Sequence, residues 1–142
     1  MLNFERINAI IIQQEKRIYM YEIIFYADND GYSELYEELQ NLAEQSLTNK
    51  DCRIQLKQIT LYIELLKNQG THLPSNIAKH IIYDVWELRP GKNRVLYFYF
   101  KDNMFVLLHM FRKKTQKTPK SEIEKALKEM NNYIDRNGGS HK

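Results

Sequence analysis

The stretch WELRPGKNRVLYFYF, residues 86–100, followed closely by FVLLHMFRKKTQKTP, residues 105–119, decides how this chain is read. Pro-Gly-Lys-Asn at 90–93 and Lys-Asp-Asn at 101–103 have the composition of tight turns. The runs around them, 83–89, 94–100 and 104–111, are rich in β-branched and aromatic residues and read as strands. Links this short force antiparallel neighbours. With the first turn centred on 90–93, Arg89 and Arg94 stand opposite each other. Alternation then puts Glu87, Arg89, Arg94, Leu96 and Phe98 on one face, and Trp86, Leu88, Val95, Tyr97 and Tyr99 on the other.

Outward from this core, YEIIFY at 21–26 predicts another strand, closed by the turn residues DNDGY. Residues 33–47 carry Leu35, Leu39, Leu42 and Leu47 among acids, with Ser33 as N-cap. From 51 to 68, Cys52, Leu56, Ile59, Ile63 and Leu66 form one apolar stripe, and Gly70 ends it. The two helices are close in sequence and predict an antiparallel hairpin. A loop containing Pro74 follows. A last helix spans 119–135, with Ile123, Ala126 or Leu127, Met130 and Ile134 at helical spacing. The order strand-helix-helix-strand-strand-strand-helix predicts an α+β fold. It is a small antiparallel-rich sheet with a helical hairpin packed on one face, the helices lying mainly on that face.

The 142 residues suit one domain. Its expected body is 20–136, with 137–142 a frayed tail. Residues 1–19 read either as an amphipathic helix, through Phe4, Ile7, Ile11 and Ile18, or as an extension ahead of an alternative start at Met20. The single cysteine, Cys52, excludes a disulfide within the chain and fits the cytoplasm. No apolar run reaches the roughly 18 residues of a membrane span, and no signal-peptide core is present. His72, His80, His109 and His141 have no metal-ligand spacing, and no Gly-rich phosphate loop or nucleophile elbow occurs, so neither metal nor cofactor is expected.

The net charge of +3 is mild, but its distribution is not even. Arg112, Lys113, Lys114, Lys117 and Lys120 fall within nine residues that contain no acid, directly after the most apolar strand. Two facing arginines repel and do not pair for stability. They make sense around an anion, and guanidinium grips phosphate with two hydrogen bonds. The cationic segment follows the strand next to the arginine pair, so the two can share one phosphate-binding concavity. Taken singly, each also fits an ordinary solvated sheet end. Tyr97, Phe98, Tyr99, Phe100 and Trp86 read first as core, and His109, inside an apolar strand, as a packed and hydrogen-bonded histidine.

YEIIFY, WELRPGKNRVLYF and VLLHMFRKKTQKTP, with the closing helix, together resemble the HigB branch of the RelE-type toxins of bacterial type II toxin–antitoxin modules, over residues 20–136. The resemblance implies a RelE-like fold and a cytoplasmic mRNA interferase, a metal-free endoribonuclease in which the RNA 2′-OH attacks the adjacent phosphorus. It implies Arg94 as phosphate clamp, Arg89 as its second, and Lys113 and Lys114 as the lysine pair after the last strand. One ammonium of a crowded pair gives up its proton more readily and can serve as acid or base. Arg112, Lys117 and Lys92 are the expected RNA-backbone contacts. The implied partners are a cognate helix-turn-helix antitoxin, translated mRNA and the ribosome, with assembly into a larger toxin–antitoxin complex and no membrane. Relatives carry a C-terminal Tyr or His for proton transfer; here Tyr133 and His141 lie in that region without a recognisable motif. A non-catalytic RNA- or antitoxin-binding module on the same scaffold is the alternative.

Overall fold

The computed structural model of the chain describes residues 21–138. The expectations placed on residues 1–19 and on His141 lie outside the described residues. In chain order the elements are β1 (Glu22–Phe25), α1 (Glu34–Gln45), α2 (Lys50–Gln69), a short 3₁₀ turn (Gly70–His72), β2 (Ala78–Ile82), β3 (Val85–Leu88), β4 (Asn93–Tyr99), β5 (Met104–Arg112) and α3 (Lys120–Asn137). Asn137, read as the start of the tail, instead closes α3.

The helices begin and end where local chemistry directs. Ser33 accepts the Tyr36 N–H at the start of α1, and Asn49 accepts the Cys52 N–H at the start of α2. Gly70 closes α2 at a positive φ of 58°. A Cβ there would sit 2.3 Å from the Tyr21 ring, so both the backbone and the packing require glycine.

The sheet order is β1-β5-β4-β3-β2. Strands β2 to β5 run antiparallel in sequence, and β1 joins β5 in parallel. The sheet is thus mixed and antiparallel-rich. The turn at 101–103 places Asp102 and Asn103 at positive φ, with the Met104 N–H donating to the Lys101 carbonyl at 2.9 Å, the pattern of a type I′ hairpin.

One expectation is corrected. The segment read as a loop after Pro74 contains β2, so four strands rather than three follow the helical hairpin. Its two-residue turn is Tyr83-Asp84, with Tyr83 at φ 49°, a bulky residue at a position usually given to Gly or Asn. Composition alone therefore reads Tyr83 into the next strand, which begins at Val85. The helical hairpin lies on one face, as expected, and the third helix takes the other. The hairpin of α1 and α2 covers the face of Leu88, Val95, Tyr97, Phe105 and Leu107, and α3 covers that of Val85, Leu96, Phe98, Val106 and Leu108. A sheet covered on both sides has apolar residues on both sides, hence the near-continuous run VLYFYF.

The register puts Leu88 opposite Val95 and Glu87 opposite Leu96, as the alternation predicted. Between β4 and β5 the register slips: Leu96 faces His109, whereas Tyr97 faces Leu107. The extra residue, Leu108, makes a bulge that lets both Leu108 and His109 face α3.

Candidate functional site

Continuing the β3–β4 register past Leu88 and Val95 brings Arg89 and Arg94 together at the mouth of the Pro90-Gly91 turn, where Gly91 takes a φ of 62°. The anion between them is the chain's own. Glu87, only 2% exposed, has Oε2 3.3 Å from Arg89 Nε and 3.6 Å from Arg94 Nε. Its other oxygen accepts the Thr118 hydroxyl at 2.7 Å. Two guanidinium groups against one carboxylate leave a net positive charge.

The arginines are not equivalent. Arg94 is 6% exposed, and its Nη1 donates to the Gly91 carbonyl at 2.9 Å and the Asn93 carbonyl at 2.8 Å. It braces the turn. Burial lowers its pKa, while Glu87 acts in the opposite direction. Arg89 lies further out. Its Nε is close to Glu87 but not aligned for a hydrogen bond, and this buried N–H has no hydrogen-bond partner among the described residues. The Glu87 carboxylate compensates the Arg89 charge at that distance, which leaves the outer guanidinium nitrogens to face the solvent side.

Arg89 lines a cleft of about 200 Å³ on the α3 side of the sheet. β2 contributes Lys79, β3 contributes Glu87, the segment before α3 contributes Lys117 and Thr118, and α3 contributes Ile123. Lys79 is placed by pairing with Glu87 across β2 and β3. His80, one residue on, pairs with Trp86; its ring meets the Trp86 ring edge-on at 5.3 Å and hydrogen-bonds the Tyr83 carbonyl. The cleft therefore presents three cations to one deeply seated carboxylate, a balance suited to a phosphate oxygen.

Of the residues singled out from the sequence, Arg89 and Lys117 line this cleft, and Arg94 stands behind Arg89 through their common Glu87. Lys113, Lys114, Lys92 and Arg112 are not on its wall. The Lys113 N–H donates to the Lys92 carbonyl at 2.8 Å, which extends the β4–β5 ladder by one step. Arg112 pairs with Asn93, whose amide reaches Gln55 of α2, so this position belongs to the opposite face. Lys114 is exposed in the connection to α3.

Sequence reasoning missed Lys79 and Thr118 and placed Glu87 on the arginine face without giving it a role in the site. The short run AKHII carries no clean alternation that would have marked Lys79. Tyr133 packs edge-on against Phe98 and Phe100, with ring centroids 6.1 and 5.1 Å away, and burial raises its phenol pKa. It behaves as a core ring.

His109, 1% exposed, is held between two carboxylates of α3: Nδ1 lies 2.6 Å from Glu129 Oε1 and Nε2 2.8 Å from Glu122 Oε1. Among the described residues, no helix is long and apolar enough to cross a membrane.

The model of the family described as Phage derived protein Gp49-like (DUF891) matches residues 37–131, from within α1 to within α3, and so includes every residue of the cleft wall. No curated protein matches the chain.

Proposed function

The chain belongs to the phage-derived Gp49-like family, a toxin-like family associated with toxin–antitoxin modules, and from that premise we propose that it is a HigB-like mRNA interferase. The single observation that carries this reading is the cleft in which Arg89 meets Lys79 and Lys117 over buried Glu87. An RNA phosphodiester supplies the negative charge that the three cations around one carboxylate leave unbalanced, and the outer guanidinium nitrogens of Arg89 can donate to it.

The proposed reaction is a transesterification within the RNA. The 2′-oxygen loses its proton to a base and bonds to phosphorus. The P–O5′ bond breaks, and the departing oxygen takes a proton from an acid. The products are a 2′,3′-cyclic phosphate and a 5′-hydroxyl. Negative charge gathers on the non-bridging oxygens, which Arg89, Lys79 and Lys117 face. Glu87, Arg94 and Thr118 are positioning residues that hold Arg89 in place. The flexible ammonium groups of Lys113, Lys114 and Lys117 are the proposed proton carriers. Lys92 and, from the opposite face at the same end of the sheet, Arg112 are the proposed contacts to the RNA backbone beyond the cleft. Cytoplasmic location, a helix-turn-helix antitoxin and cleavage of translated messages at the ribosome belong to the same proposal.

The second reading, a non-catalytic RNA- or antitoxin-binding module, draws on Glu87, which already neutralises part of the arginine charge. Expression without an antitoxin separates the two. The nuclease reading expects growth arrest, relieved by Arg89→Ala in a variant that stays folded. Arrest that persists undiminished in Arg89→Ala would reject this site.

A further inference from the structure

We propose that His109 and two carboxylates of α3 form a proton-operated clasp that seats the start of α3 and thereby sets the shape of the cationic cleft. The proposal concerns the cleft's conformation; only its effect on RNA rests on the function proposed above.

The geometry demands a proton. A neutral imidazole has one N–H and one bare nitrogen, whereas both ring nitrogens here face ionisable acceptors, Glu129 at 2.6 Å and Glu122 at 2.8 Å. Only the imidazolium can donate to both. Glu122 and Glu129 are seven residues apart on α3, two turns, so one ring fixes both the roll and the height of the helix. The bulge at Leu108 is what aims the ring at α3.

The clasp connects to the cleft through a few residues. Glu122 is in the first turn of α3, beside Ile123, which lines the cleft. Just ahead of the helix, Thr118 donates to Glu87, the carboxylate shared by Arg89 and Arg94. Losing the His109 proton leaves one carboxylate facing a lone pair. Glu122, in the terminal turn and the more exposed of the two, is the one released. The first turn of α3 then lifts, and the Thr118 contact with Glu87 loosens.

The charged groups around the ring decide the direction. α3 presents Glu122, Lys125 and Glu129, and α1 presents Glu38; Lys125 is itself paired with Glu34 of α1 at 2.6 Å. β4 presents Leu96, and Phe111 follows on β5. Burial pushes the His109 pKa down, and Lys125 opposes the proton, but Glu129 and then Glu122 more than reverse this, so the pKa is raised. The clasp is therefore closed below the ordinary imidazole range and opens as pH rises through the raised value.

The test uses the whole chain and its Glu122→Gln variant, from about pH 6 to about pH 9, a range over which ordinary lysines and arginines keep their charge. A glutamine at 122 donates to a neutral Nε2, so that variant keeps α3 seated without the second proton. NMR follows the His109 ring and, separately, the amides of Thr118 and Ile123. Binding of a fluorescein-labelled, 2′-O-methylated single-stranded RNA is read in parallel. In the wild type, the Thr118 and Ile123 signals are expected to move with the same midpoint as the His109 ring. RNA affinity should fall about tenfold across that midpoint if the open form reaches nine-tenths of the population. In Glu122→Gln both dependences should vanish or shift to lower pH. Thr118 and Ile123 signals that stay fixed while His109 titrates would overturn the clasp. Coupled NMR signals with no RNA binding at any pH would leave the clasp standing and overturn the RNA reading instead.

Discussion

At the scale of the residue, the arginine pair divides its labour. Arg89 is placed to meet a ligand, whereas Arg94 is buried and holds the turn. The two alanine substitutions should therefore differ in kind. Arg89→Ala should leave the thermal midpoint nearly unchanged and lower activity about 10²- to 10³-fold, the usual loss for one preorganised donor. Arg94→Ala should destabilise the protein by about 2–3 kcal/mol, since it unpairs the Gly91 and Asn93 carbonyls of the turn and removes one of the two counter-charges of Glu87. Denaturant unfolding of both variants checks this; equal losses of stability would contradict the division. Thr118→Val is a milder case. It removes the hydroxyl that satisfies one Glu87 oxygen and should cost about 1–2 kcal/mol while weakening RNA binding through a displaced Arg89.

At the scale of the element, much of the fold was legible in the sequence. The turns at 90–93 and 101–103 have residues suited to their positive φ values, and the alternation between them gave the right faces for Glu87 and Arg94. Ser33 and Gly70 marked helix ends correctly because caps depend on local chemistry. β2 was not legible. Its turn, Tyr83-Asp84, lacks a turn composition, and its bulge between His80 and Ile82 breaks the alternation that would have revealed it. The loss of β2 hid Lys79 and with it one wall of the cleft. The site failed to emerge further because Glu87 looked like an incidental neighbour, and no sequence pattern says that a carboxylate will be shared by two arginines. Gly70 offers a test of element packing. Gly70→Ala forces a positive φ on alanine and drives its Cβ into the Tyr21 ring, which also packs on Phe105. It should cost more than about 1 kcal/mol, read as a lower thermal midpoint.

At the scale of the whole molecule, the sheet is the middle layer, and among the described residues ionic ties link the layers, from the sheet to α3 and from α3 to α1. Their contributions are unequal. Lys125 and Glu34 are both 44% exposed, so Lys125→Ala should change stability by less than about 1 kcal/mol. The buried His109 clasp should matter more and should give stability a pH dependence. Its raised pKa means that the stabilisation is present in full below the unfolded-state imidazole value and is lost as pH rises through the folded-state value. Thermal midpoints measured across that window should fall for the wild type and stay flatter for Glu122→Gln. The central claim is that the Arg89 cleft is where an RNA phosphodiester is held and cut. Primer extension on a translated message, comparing the wild type with a folded Arg89→Ala variant, tests it most directly. Discrete, translation-dependent breaks are expected with the wild type, and their near-disappearance with the variant. Breaks of equal intensity from both proteins, or none from the wild type, would contradict it.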